Sequence, residues 1–293
     1  MKETFMKQAI LLVAFGTTVE HARKRQIDAV VEYIRNQYQA YEVRLAFTSR
    51  IIVKRLRDRG EVINTEISAL EALIADGFEE IIVQPLHFTG GEEFDKLKQN
   101  ILAYEGQGSL KSLRVGRPLL YFMGQEERPD DYDILIDEFI RPWLAEQNLK
   151  DDEGLVFIGH GGLNVGNACY GVLQLKLWQQ ELRHVRIAAL ENYPMLDDVV
   201  IPWAWPNEQV PKRIHLHPLL LVAGDHALND IFGDDEDSVE QQLKAYGYEV
   251  VRHEKGLGEY EWIQKIYAAH LADAIEKRYE GRSKHRPAIP NIK

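Results

Sequence analysis

Two histidines and a carboxylate, His160, Glu191 and His226, are residue types that hold a divalent first-row metal while leaving coordination positions open. Imidazole also titrates near neutral pH, so the same side chains can accept protons from a substrate. An internal repeat singles these three out. VAFGT at 13–17 matches VFIGH at 156–160, an offset of 143 residues. VRLAF at 43–47 matches VRIAA at 185–189, an offset of 142. PLHFTGGEE at 85–93 matches PLLLVAGDH at 218–226, an offset of 133. The order is kept and the offsets drift only by loop length, which points to two similar halves. At equivalent positions the second half carries His160, Glu191 and His226 where the first carries Thr17, Ser49 and Glu93.

The elements that must position these residues are short apolar runs, often bounded by Gly or Pro. Strands are predicted over 9–15, 43–47, 81–85, 115–120, 155–158, 185–190, 214–222 and 249–251. Helical patterns occupy 19–39, 65–76, 130–147, 168–182, 238–246 and 260–280. Such alternation predicts an α/β fold with mostly parallel sheets. The predicted organisation is an N-terminal α/β half over 1–128, a C-terminal half carrying the metal site over 129–280, and a flexible tail over 281–293. Ligands of such sheets bind outside the strand ends, and the repeat places each of the three residues at such an end.

Composition sets outer bounds. The chain has 293 residues, 45% hydrophobic and 28% charged, enough apolar content for one large or two modest domains. A net charge of −11 argues against nucleic acid as a partner. The single cysteine, Cys169, excludes a disulfide framework or a thiolate metal cluster and reads as a buried small hydrophobe. No apolar stretch reaches the roughly 18 residues of a membrane helix. The N-terminal apolar run has no cleavage site behind it and reads as a first strand, which predicts a cytoplasmic protein. Oligomeric state is not legible, and a homo-oligomer stays open.

Other features carry less. GHGG at 159–162, with Gly161, can offer backbone N–H groups to an anion, but no nucleotide-binding pattern surrounds it. His215 and His217 alternate along one strand and read as structural. Arg50, Lys54 and Arg57 share a helical face, with a solvated face as the default and carboxylate binding as the alternative. Trp203 and Trp205 sit in a proline-bounded loop. The run Asp234, Asp235, Glu236, Asp237 reads as a solvated acidic loop able to attract cations.

The chain resembles the anaerobic sirohydrochlorin cobaltochelatases of cobalamin synthesis. The resemblance spans nearly its whole length and rests on LLVAFGTT, AFTSRIIVKRLRDRG, LHFTGGEEFDKL, VFIGHGG, ALENYP and LLLVAGDHALNDIFGDDEDS. It implies a class II chelatase fold with the active site in a cleft between the halves, Co²⁺ as the substrate metal, a tetrapyrrole (sirohydrochlorin) as the other substrate, and no nucleotide. It places the metal-binding and catalytic histidines on His160 and His226 and the metal-binding glutamate on Glu191. It implies that both histidines help remove the pyrrole protons. Thr17, Ser49, Arg50, Glu93 and Gly161 are then expected to contact the substrate. Iron or nickel insertion, a tetrapyrrole- or metal-binding protein without turnover, and a two-lobed solute receptor are the competing readings.

Overall fold

The computed structural model describes residues 6–199 and 210–279, apart from the side chains of Asp225 and His226. The Trp203–Trp205 loop and the 281–293 tail lie outside the described residues.

Two parallel sheets form the frame. The first contains β1 (Gln8–Ala14), β2 (Glu42–Phe47), β3 (Asn64–Thr65), β4 (Glu80–Pro85) and β5 (Ser112–Val115), in the order β3-β2-β1-β4-β5. The second contains β6 (Glu153–Gly161), β7 (Val185–Glu191), β8 (Arg213–Pro218) and β9 (Glu249–Arg252), in the order β7-β6-β8-β9. Among the described residues every ladder is parallel. The order β2-β1-β4-β5 is therefore repeated as β7-β6-β8-β9, the topological form of the sequence repeat. β1 and β6 are buried along nearly their whole length, as central parallel strands covered on both faces must be.

Among the described residues the first half carries four helices. The contiguous segments Glu20–Ala22, Arg23–Asp28 and Ala29–Gln37 form α1, the middle one a π-helical turn. α2 is Arg50–Asp58, α3 is Glu66–Ala75 and α4 is Glu92–Leu102. Asp131–Leu135, Ile136–Ile140 and Arg141–Gln147 run on as α5. The second half adds α6 (Ala168–Gln179), α7 (Leu196–Val199), α8 (Asp225–Phe232), α9 (Val239–Ala245) and α10 (Glu261–Ile275). α10 returns to the first half. The Tyr267 hydroxyl donates to the Leu86 carbonyl at 3.1 Å, and the Arg114 guanidinium donates to the Ile275 carbonyl at 2.7 Å. One apolar core runs through both halves and joins Ile10, Leu12 and Phe47 to Leu155, Phe157 and Tyr267.

The structure corrects three expectations. The strand expected over 115–120 lies at Ser112–Val115, because Gly116 packs against the buried Gln84 side chain and Pro118 cannot continue a ladder. The strand expected over 214–222 stops at Pro218, and the apolar run 219–223 is a loop. His226 accordingly stands in the first turn of α8 rather than at a strand end, and Glu93 stands likewise in the first turn of α4.

Candidate active site

Strand order decides where the cleft lies. In each sheet the chain runs outward on one side of a central strand and then restarts on its other side. The reversals fall between β1 and β4 and between β6 and β8. Helices then leave on opposite faces, and the crevice beyond the carboxyl ends stays open. The two crevices face each other across one cleft of about 470 Å³. Phe15 and Gly16 follow β1, and Leu86 to Thr89 follow β4. His160 and Gly161 end β6, Glu191 ends β7, and Leu219 to Val222 follow β8.

His160 and Glu191 are exposed and lie on neighbouring strand ends, with Gly161 paired to Glu191 in the ladder. Glycine is required there. Gly161 has φ +84, and a Cβ on it would fall 1.7 Å from the Glu191 carbonyl oxygen. Gly159 is constrained by packing alone, since its Cβ would meet the Tyr170 ring at 2.2 Å. The Gly161 N–H donates to the Tyr170 hydroxyl at 3.3 Å, so the GHGG turn spends this donor on packing rather than on an anion. His160 Nδ1 is 3.3 Å from the Gly161 carbonyl oxygen. A carbonyl can only accept, so Nδ1 is the donor in this contact.

The same two residues line a second cavity of about 350 Å³, together with Asp197, Asp230, Asp235 and Asp237. His160 and Glu191 thus sit between a mainly apolar cleft and an acidic one. His226 lies in the first turn of α8, the helix whose Asn229 and Asp230 line that second cavity, and its side chain is outside the described residues. Among the described residues no cluster of three His, Cys, Asp or Glu side chains is arranged to hold a metal.

The remaining expected residues divide. Glu93 and Gly161 line the cleft, but Thr17, Ser49 and Arg50 do not. Thr17 is buried and its hydroxyl accepts from the Val19 N–H at 3.1 Å. The Ser49 hydroxyl caps α2 by accepting from the Ile52 N–H. The Arg50 guanidinium binds the buried Glu66 carboxylate at 2.6 Å. Each of these groups already satisfies a local backbone or charge requirement. Among the described residues no Lys or Arg lines the cleft. Its walls are apolar instead, and Phe15 and Leu163 on its rim are 52% and 94% exposed. Exposed apolar groups gathered around a concavity mark a surface that a flat apolar ligand would cover.

Sequence reasoning passed over His87. It lines the cleft on the first-half side, and neither of its ring nitrogens has a hydrogen-bond partner. Burial holds its pKa down at about 4, so the ring is neutral. Its place in PLHFTGGEE, aligned by the repeat with the cleft-lining PLLLVAGDH, was the available signal.

Comparison with known proteins fits this geometry. The model of the family described as Cobalt chelatase (CbiK) matches residues 8–276. The chain belongs to that family. It is 31% identical over 276 residues to the sirohydrochlorin cobaltochelatase of Salmonella typhimurium, covering 94% of this chain and 99% of that protein. It is 30% identical over 275 residues to the sirohydrochlorin cobaltochelatase CbiKC of Nitratidesulfovibrio vulgaris, covering 92% and 91%. A solved structure of CbiX, described as the terminal enzyme of siroheme biosynthesis in denitrifying bacteria, superposes with a TM-score of 0.51 at 15% identity. It covers 91% of this chain and 99% of that one, and establishes the shared fold.

Proposed function

We propose that this cobalt chelatase inserts Co²⁺ into sirohydrochlorin, consumes no nucleotide, and uses His160, Glu191 and His226 to hold and deliver the metal. The observation that carries the reading is the pair His160 and Glu191 on adjacent strand ends, where the acidic cavity meets the apolar cleft. The tetrapyrrole lies against the apolar walls, with its peripheral carboxylates directed to the mouth and to water. Carboxylates of the acidic cavity raise the local concentration of a divalent cation beside His160 and Glu191. The His160 imidazole and the Glu191 carboxylate then present the ion to the ring face. As metal–nitrogen bonds form, the two pyrrole N–H bonds break. The protons pass to a neutral imidazole, His160 or His226, and on to solvent.

The test is anaerobic incubation of the protein with sirohydrochlorin and Co²⁺, Fe²⁺ or Ni²⁺ in turn, following the absorbance of the metallated ring. The expected result is Co²⁺ insertion by the parent and a loss of at least about a hundredfold in rate for His160→Ala, the scale of one catalytic acid–base group. Parent protein that gives no insertion above the uncatalysed rate with any of the three metals would refute the reading. Insertion unchanged in His160→Ala would refute the role of that histidine.

A further inference from the structure

The first-half wall of the cleft contains one side chain whose chemistry is unspent. His87 follows β4 and its main chain is fixed from two sides. The Leu119 N–H donates to its carbonyl at 2.9 Å, and the Tyr267 hydroxyl lies 3.3 Å from the same oxygen. Its imidazole is different. Both ring nitrogens are closed off from water and neither has a hydrogen-bond partner, although the residue lines the cleft. Buried polar atoms are nearly always paired, because leaving one unpaired costs about 1–3 kcal/mol. An apolar residue would fill this position at lower cost, as Leu86 and Phe88 do on either side.

We infer that His87 is a substrate-contacting residue, whose neutral imidazole makes its missing hydrogen bonds to the bound tetrapyrrole. The inference rests on the reading of the cleft as a tetrapyrrole site. No hydrogen bond holds the ring in its present rotamer, so turning it toward a ligand sacrifices none. A neutral imidazole offers one N–H donor and one nitrogen acceptor. A tetrapyrrole offers the complementary set, with pyrrole N–H groups at its centre and carboxylates at its edge. On the first-half side the cleft is lined by Phe15, Leu86, Phe88 and Phe94 together with Glu92 and Glu93. A wall without Lys or Arg among its described residues cannot hold substrate carboxylates by charge, so a neutral polar group that can both donate and accept is the anchor that wall can supply. His87 then contacts the macrocycle from the first half while His160 and Glu191 meet it from the second.

The test separates binding from stability and from metal handling. Sirohydrochlorin binding to metal-free protein is measured by fluorescence quenching for the parent, His87→Phe and His87→Gln. Thermal unfolding and Co²⁺ binding in the absence of tetrapyrrole are measured on the same samples. Losing about 1.4 kcal/mol of hydrogen bonding weakens binding about tenfold. The expected result is tenfold weaker sirohydrochlorin binding by His87→Phe, with Tm unchanged or raised and Co²⁺ binding unchanged. His87→Gln, which keeps a donor and an acceptor, should recover most of the affinity. Equal binding by His87→Phe and the parent overturns the inference while leaving the tetrapyrrole site standing. A binding loss matched by a fall in Tm and not restored by Gln assigns His87 to packing and also overturns it. A parent that does not bind sirohydrochlorin overturns the tetrapyrrole reading itself.

Discussion

At the scale of single residues, what sets the site is the freedom glycine gives its neighbours. His160 points into the cleft because β6 ends in a residue with φ +84 that lies against the Glu191 carbonyl. Gly161→Ala would combine left-handed backbone strain with a contact of 1.7 Å to main-chain atoms that cannot swing away. The ends of β6 and β7 would have to part, carrying His160 away from Glu191. We expect this variant to lose chelatase activity as severely as His160→Ala, with a stability loss of about 1–3 kcal/mol. Parallel measurements of Tm and insertion rate check this. Gly162→Ala is the matched control, since a Cβ there meets nothing within 4 Å, and it should retain near-parental activity and Tm. Arg50 illustrates the opposite case. Its charge suggested a carboxylate-binding role from sequence, yet its guanidinium is already paired with the buried Glu66.

At the scale of elements, the loop that leads to His226 is held by the other half of the molecule. Gln26, in the π-helical turn of α1, is 4% exposed. Its side-chain Oε1 accepts from the Ala223 N–H at 2.9 Å, and its side-chain Nε2 donates to Glu259 at 2.8 Å. Gly256 and Gly258 pack so closely on Gln26 that a Cβ at either would fall within 3 Å of it. Gln26→Leu preserves volume but strands the Ala223 N–H, which should cost about 1–3 kcal/mol and loosen the approach to α8. The expected outcome is a reduced kcat with tetrapyrrole affinity nearly unchanged, read by steady-state kinetics beside a binding titration. A parental kcat would show that the staple serves stability alone. Such cross-half contacts explain what was legible in the sequence. Strand and helix periodicity is local, so β1, β2, β4, β6, β7 and β9 and most helices emerge from pattern alone, and the repeat aligns the two switch points. The run 219–223 misleads because loops lining an apolar cleft have strand-like composition, and only Pro218 signals the end of the ladder. His87 carries no local signal that distinguishes a ligand-facing imidazole from a satisfied one.

At the scale of the whole molecule, the two halves share a core, and several histidines buried in the fold are held neutral. His217 is fully buried beneath Trp143 and Phe157, with Nε2 2.7 Å from the Tyr260 hydroxyl and Nδ1 2.7 Å from the Pro218 carbonyl. Burial drives its pKa down to about 3. Burial and its neighbour His215 hold His253 at about 4, and His215 Nδ1 lies 2.9 Å from His253 Nε2, so one proton serves the pair. Burial also lowers His87, His215 and His270. In the unfolded chain each of these titrates near 6.5. Below that pH the unfolded state binds protons that the folded state refuses, so stability rises with pH through this window and falls as pH drops. For His217, fully buried, the loss approaches about 1.4 kcal/mol for each pH unit between 6.5 and its folded value, and the partly exposed His253 contributes less. Carboxylates respond in the same direction but at lower pH, since ordinary Asp and Glu titrate near 4. Stability of the parent, from urea titrations at fixed salt, should therefore decline steeply from pH 6.5 to 4.5, before most carboxylates protonate. Replacing His217 with Phe removes one refused proton along with two hydrogen bonds. Its stability should be lower than the parent's at pH 7.5 and should fall less steeply toward pH 4.5. A parent whose urea midpoint stays constant across that range would mean that these histidines are not held neutral by the fold.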